Sequence, residues 1–247
     1  MVENEDSEYL INIGNNLVSK EKIDIKDKNF EKVMFLYRAA LKEIKTKIDI
    51  LQEEMKLFSE YEPVEYVITR LKKPESIINK LERKNLNLTY QNMFDKIDDI
   101  AGLRIVCNFK SDVYKLVDII SGFQDVRVLD KKDYMKEPKT SGYRSYHIIA
   151  EVPVNFSSGI MYVKVEIQIR TLAMDFWASL EHKLKYKNSK ISLNDSKNLV
   201  KYAKVIDGID ESMLKISNNI ENSQKKQNLV LEVAEEKVKS KKFNFKL

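Results

Sequence analysis

In the stretch Val163-Lys164-Val165-Glu166-Ile167-Gln168-Ile169-Arg170 every second residue is apolar. Drawn out as a strand, it sets Val165, Ile167 and Ile169 on one face and Glu166, Gln168 and Arg170 on the other. A polar strand face fits solvation as well as function, and the pattern alone leaves both open. A second acidic element, Asp98-Asp99, stands immediately before the apolar run that contains Arg104. Carboxylates from two strands suit a hard divalent cation such as Mg2+, which takes a few protein oxygens and leaves its other positions to water and phosphate. The same acids also fit a plain polar strand flank.

Two further stretches carry groups that bind anions and bases. Residues 139–147 read KTSGYRSYH. Gly142 lets the backbone turn sharply before a strand, and strand parity then places Tyr143, Ser145 and His147 on one face. An exposed Tyr143 offers a flat π surface to a nucleobase, while Lys139 and His147 can donate to phosphate or ribose oxygens. The bland alternative is that Tyr143 and Tyr146 are sheet aromatics and His147 is satisfied internally. Upstream, Arg70, Lys72 and Lys73 lead into Pro74, followed by Lys80, Arg83 and Lys84. Cations around the free N–H groups of a helix start form a phosphate cradle. Lys80 and Lys84, four apart, are equally ordinary helix-surface residues.

These stretches need elements to hold them. From Phe30 the apolar positions Val33, Met34, Tyr37, Leu41, Ile44, Ile48, Leu51, Met55 and Phe58 keep a spacing of three and four over about eight turns, which predicts one long amphipathic helix. Pro63 stops it, Glu65 to Leu71 is a short mixed run compatible with a strand, and Pro74 opens a second helix to about Lys84. Between 100 and 170 the period changes. Ile100–Phe109, Val126–Leu129, Tyr143–Val154 and Ile160–Arg170 are rich in β-branched and aromatic residues and read as strands, with a helix over Ser111–Ser121. After Thr171 the helical period returns in Leu172, Phe176, Leu180 and Leu184, then in Leu199, Tyr202, Ile206, Ile209, Met213, Ile216 and Ile220. The expected fold is α/β, a mixed sheet of four or five strands flanked by helices. Residues 1–29 form an extension, 30–220 the domain with its flanking helices, and 221–247 a helical, basic tail.

Composition narrows the class. A chain of 247 residues with 43% hydrophobic and 33% charged residues buries a substantial core, and its few Gly and Pro favour long regular elements. With 43 Lys and Arg against 38 Asp and Glu the net charge is only +5, too small a field for a dedicated nucleic-acid binder, so any anion site is local. The single Cys107 lies in an apolar run, which points to a buried thiol in a reducing compartment. No stretch approaches the roughly 18 apolar residues that span a bilayer, and the N-terminus is acidic, so a cytoplasmic location without membrane contact is expected. Lys237, Lys239, Lys241, Lys242 and Lys246 with Phe243 and Phe245 read as a frayed, solvated end in preference to an RNA or membrane contact.

Together and in this order, RLKKPESIINKLERK (70–84), DDIAGLRIVC (98–107), KTSGYRSYHI (139–148) and VEIQIRTLAMDFWASLEHKLKYK (165–187) resemble the synthetase domain of the RelA/SpoT family, and specifically its short members, the small alarmone synthetases. The resemblance covers about residues 30 to 220. It implies a nucleotidyltransferase-like fold and the transfer of the β,γ-pyrophosphate of ATP to the ribose 3′-hydroxyl of GTP or GDP, giving (p)ppGpp and AMP. By the same resemblance Asp99 and Glu166 are the catalytic pair and the Mg2+ ligands, with Glu166 beside the attacking hydroxyl. Tyr143 stacks on guanine, and Lys139 and His147 approach the acceptor phosphates. Arg70 and Arg104 sandwich adenine, while Lys72, Ser76, Lys80 and Arg83 hold the donor triphosphate. Lys132 stands where the family pattern has Arg, Tyr66 where it has Phe, and Asp175 where it has Asn, which adds a negative charge near bound polyphosphate. The resemblance also implies a homotetramer. The chain's two histidines, His147 and His182, both fall inside these motifs, which leaves none for the metal-dependent hydrolase domain of the longer members. Two rival functions share the fold: a catalytically silent guanine-nucleotide or RNA-binding module, and a nucleotidyltransferase that releases pyrophosphate in place of AMP.

Overall fold

The computed structural model describes residues 22–59, 61–157, 159–187 and 192–243. Helix α1 (Lys28–Ser59) is the predicted long helix. Its stripe is buried from Phe30 to Leu51, with Val33, Ala40, Ile44 and Ile48 fully inaccessible, whereas Met55 is partly covered and Phe58 exposed, and Pro63 follows its end as the lack of an N–H requires. The five strands are β1 (Val64–Leu71), β2 (Ala101–Cys107), β3 (Arg127–Asp133), β4 (Tyr146–Phe156) and β5 (Gly159–Thr171). They form one sheet in the order β1-β2-β5-β4-β3. All neighbours are antiparallel except the central pair, where β2 runs parallel to β5. A parallel pair needs a long crossover, and here helix α4 (Lys110–Ser121) with the β3–β4 hairpin supplies it.

The alternation read in β5 holds. Val165, Ile167 and Ile169 are fully buried and join Ile44, Ile48, Leu116 and Ile120 in one core. Glu166 and Gln168 lie on the opposite face, only partly covered. Cys107 is a free, buried thiol that burial pushes well up from its ordinary pKa.

Several boundaries differ from the expectation. Strand β4 begins at Tyr146, so Tyr143, Arg144 and Ser145 belong to a loop and strand parity does not govern them. Ser145 turns inward, fully buried, and donates to the Ile169 carbonyl (3.1 Å), away from the face that Tyr143 shares with His147. Strand β3 runs on to Asp133, its pairing shifting register between Val128 and Asp130. Helix α2 (Pro74–Arg83) follows β1, and after it comes a short helix absent from the sequence reading, α3 (Tyr90–Lys96). Thr89 caps α3 by accepting from the Asn92 N–H (3.3 Å), and Tyr90 and Met93 tuck into the core. Fewer than two turns give no visible period.

The two C-terminal stripes belong to helices α5 (Leu172–Lys187) and α6 (Leu193–Phe243). Helix α6 passes through position 221, where a separate tail was expected, without a break. Ala203 and Asp210 on one side are buried, whereas Tyr202, Ile209, Met213, Ile216 and Ile220 are each more than half exposed. Of the extension, residues 22–27 are described, and Ile23 is buried and donates its N–H to the Leu88 carbonyl (2.8 Å). Residues 1–21, and Phe245 and Lys246 of the basic end, lie outside the described residues. Among the described residues no helix is long and apolar enough to cross a membrane.

Candidate active site

The parallel register of β2 and β5 sets Gly102 beside Glu166 and Arg104 beside Gln168, and the antiparallel register of β1 sets Arg70 beside Gly102. Polar groups from three strands therefore line one cavity of about 350 Å³, walled by Arg70, Asp99, Arg104, Glu166 and Gln168 among others. A second cavity of about 500 Å³ adjoins it, lined by Arg70, Lys72, Ser76, Asn79, Glu82 and Arg83. Arg70 belongs to both.

Asp99 sits just before β2 and is clamped by two ammonium groups, Lys72 Nζ at 2.9 Å and Lys80 Nζ at 2.7 Å. Burial by itself would push the Asp99 carboxyl up, but the hydrogen bonds and charges of the two lysines outweigh it and hold it below the usual carboxylate range. The sequence left Lys80 as a surface residue or a phosphate contact. In the fold it reaches back from α2 to the acid.

Glu166 heads a chain of polar contacts. His147 Nδ1 lies 3.0 Å from Glu166 Oε1, and the Gln168 amide donates to Oε2 (2.8 Å). Tyr143 Oη is 2.9 Å from His147 Nε2 and accepts from Arg170 (3.0 Å). Because an ionised Glu166 can only accept, His147 Nδ1 carries a proton, and the Tyr143 hydroxyl is placed to donate to Nε2. Burial pushes the Glu166 carboxyl up and Asp99 adds to that, yet the His147 and Gln168 contacts prevail and its pKa is lowered. Glu166 is thus an anion at neutral pH.

Tyr143 is half-buried, not freely exposed. Lys139 Nζ lies 5.0 Å from its ring centroid and the Arg170 guanidinium 5.4 Å, both cation–π contacts. Tyr134, which the sequence reading passed over, packs edge-on against Tyr143 and His147 (6.3 and 5.1 Å). It stands in the turn after β3, where nothing in the sequence sets it apart from other aromatics. Lys132 neighbours His147 in the sheet register, but its ammonium is exposed and paired with Asp130 (3.0 Å). Of the twelve candidate residues seven line the two cavities, and Lys80, Lys132, Lys139, Tyr143 and His147 do not.

The unexpected charge of Asp175 is neutralised on the spot. Its carboxylate takes Arg104 and Arg170, each at 3.3 Å, and the Tyr66 hydroxyl at 2.8 Å. Tyr66 and Asp175 are therefore partners, and the two departures from the family pattern are a single polar contact. Arg104 Nε and Arg170 Nε are buried without a hydrogen-bond partner.

The donor set at the cavity floor is two carboxylates, and among the described residues no third His, Cys, Asp or Glu joins them in a cluster. That set fits Mg2+, which accepts hard oxygens and completes its shell with phosphate and water, better than a metal that seeks nitrogen or sulfur.

The sequence profile described as the region found in RelA / SpoT proteins matches residues 69–191. The GTP pyrophosphokinase YwaC of Bacillus subtilis is 43% identical over 189 residues, which cover 76% of this chain and 90% of that protein. The GTP pyrophosphokinase YjbM of the same organism is 37% identical, over 80% of this chain and 93% of that one. The crystal structure of the small alarmone synthetase 1 from Bacillus subtilis bound to its product pppGpp superposes with a TM-score of 0.73 at 37% identity, covering 78% of this chain and 99% of that chain.

Proposed function

We propose the following roles for the residues of a chain that belongs to the RelA/SpoT family, and within it to the small GTP pyrophosphokinases. The protein is a GTP diphosphokinase: it transfers the β,γ-pyrophosphate of ATP to the 3′-hydroxyl of the guanine nucleotide and so makes (p)ppGpp, with AMP as by-product. The observation that carries the assignment of roles is the convergence of Asp99 and Glu166 on one cavity, with the cationic cavity on one side and the Tyr143–His147 pair on the other.

The cationic cavity takes the donor. Arg70 and Arg104 flank adenine, and Lys72, Ser76, Lys80 and Arg83 contact the triphosphate. The acceptor enters from the loop side, with guanine on Tyr143 once Lys139 swings from the ring towards the acceptor phosphates. His147 lies beside it, and Lys132 reaches a phosphate only by leaving Asp130. Asp99 and Glu166 would hold Mg2+, which when bound would neutralise charge that builds on the transferred group. With its pKa lowered, Glu166 is a weak base, and its part is to orient the 3′-hydroxyl by accepting its hydrogen bond. In-line transfer then depends chiefly on alignment and on the surrounding cations.

Incubation with radiolabelled ATP, Mg2+ and GTP or GDP is expected to yield AMP and a nucleotide carrying the label at its 3′ position. Release of pyrophosphate would identify a monophosphate transferase, and unchanged nucleotides a silent binding module.

A further inference from the structure

The buried side of α6 meets the loop that carries Tyr143. Asp207 accepts from Arg144 of that loop (3.2 Å) and from Lys110 at the start of α4 (2.8 Å). Arg144 in turn donates to the Met135 carbonyl (2.6 Å), so it joins both ends of the turn between β3 and β4 to the helix. Three residues on from Asp207, the buried Asp210 accepts from the Thr171 hydroxyl (2.7 Å) at the end of β5, the strand that carries Glu166. Burial, with the neighbouring Asp207 and Glu211 charges, pushes the Asp210 carboxyl up from its ordinary range against the Thr171 hydrogen bond and the Lys110 charge. One turn earlier, Ala203 lies so close to Gly142 that a Cβ there would come within 2.7 Å of the Ala203 Cβ. The Trp177 indole donates to the Leu199 carbonyl (3.1 Å), and Tyr143 packs on the Trp177–Ala178–Ala203 cluster.

Neither Asp207 nor Asp210 lines either nucleotide cavity. Besides α6, the loop is held by the backbone bonds Gly142 N to Lys139 O (2.8 Å), Lys139 N to Tyr143 O (3.1 Å) and Tyr134 N to Ser145 O (3.0 Å), and by the Ser145 and Tyr143 contacts to β4 and β5 described above. The donor groups Arg70, Lys72 and Lys80 come from β1 and the segment after it, with two strands, β2 and β5, between β1 and β4 in the sheet. A change in α6 therefore reaches the acceptor loop directly, and the donor cavity only through the sheet.

We propose that Asp207 and Asp210 are positioning residues for the acceptor nucleotide: Asp207 holds the Tyr143 loop in its binding conformation through Arg144, and Asp210 keeps α6 docked beside it through Thr171. The proposal rests on the reading of Tyr143 as the acceptor-base contact. When an anchor is lost, only a fraction of molecules keeps the loop in place, and apparent acceptor affinity falls by that fraction.

The test is steady-state kinetics with ATP and guanine nucleotide varied separately in Asp207→Ala, Asp210→Ala and Asp210→Asn, beside Tyr143→Ala as reference. The two alanine variants are expected to raise the acceptor KM roughly tenfold, with the ATP KM within about twofold and kcat at saturating acceptor retained. Asp210→Asn keeps an oxygen for Thr171 and is expected to stay near the parent. Emission of Trp177, the chain's single tryptophan, shifts to the red in the alanine variants as the helix loosens. An unchanged acceptor KM, or a parallel loss for both substrates with falling kcat, overturns the proposal. If Asp207→Ala does not fold, Asp207→Asn, which keeps shape and removes charge, is measured in its place. Tyr143→Ala with an unaltered acceptor KM would sink the underlying reading and this proposal with it, whereas a weakened Tyr143→Ala beside an unaffected Asp207→Ala sinks the positioning role alone.

Discussion

Glu166 and Asp99 differ in what surrounds them, and each surrounding predicts a distinct failure. Glu166→Gln keeps the shape of the side chain but removes the charge that orders His147, and Asp99→Asn leaves Lys72 and Lys80 without their counter-ion. Both variants are expected to lose about a hundredfold or more in kcat, measured as AMP release at saturating substrates. Tyr143→Ala removes a stacking surface instead and should weaken the guanine nucleotide by roughly ten- to a hundredfold while ATP binding is preserved, as calorimetry of each nucleotide would reveal. At this scale much was legible. Strict alternation exposed Glu166 and Gln168 on one strand face, because a period of two follows from backbone geometry. Asp175 could be seen as an anomaly, but its resolution could not, because Arg104 and Tyr66 are 71 and 109 residues away in sequence. Asp207 and Asp210 gave no signal at all, since acids on a charged helix look like a solvated face until the helix is docked.

Among the elements, the loop 139–145 departs furthest from expectation. The sequence reads as strand from Tyr143, yet with Gly142 at φ +90° and Ser145 turned inward the strand starts three residues later, at Tyr146. A left-handed backbone admits Gly at little cost and other residues poorly, and here Ala203 also fills the space a side chain would need. Gly142→Ala is therefore expected to cost about 1–3 kcal/mol of stability, read from the urea midpoint, and to loosen α6 along with the loop. The long helix α1 and the strands of the core were legible because each sustains its period over many residues. Helix α3 was not, because its seven residues are held by a Thr89 cap and by burial of Tyr90 and Met93 and never complete a pattern.

For the whole molecule, α6 exposes Tyr202, Ile209, Met213, Ile216 and Ile220, and α5, which packs against it, exposes Phe176, Leu180 and Leu184. We propose that this apolar surface on two contacting helices mediates self-association, with the homotetramer implied by the family resemblance as the expected assembly. Light scattering at micromolar concentration should give a mass well above the 29.0 kDa of one chain, and Ile209→Asp with Met213→Asp should lower it. A monomer mass for the unaltered protein would refute the assembly. The central parallel pair has a consequence of another kind, in the order of folding. Strands β2 and β5, which deliver Arg104 and Glu166 to one cavity, are adjacent in space but separated by all of α4, β3 and β4. Closing so long a loop costs chain entropy before any contact repays it, and local helices and hairpins form faster. A chain diluted from denaturant is therefore expected to regain its helical circular dichroism well ahead of nucleotide turnover, since the central strand pair that joins the two acids forms among the last native contacts.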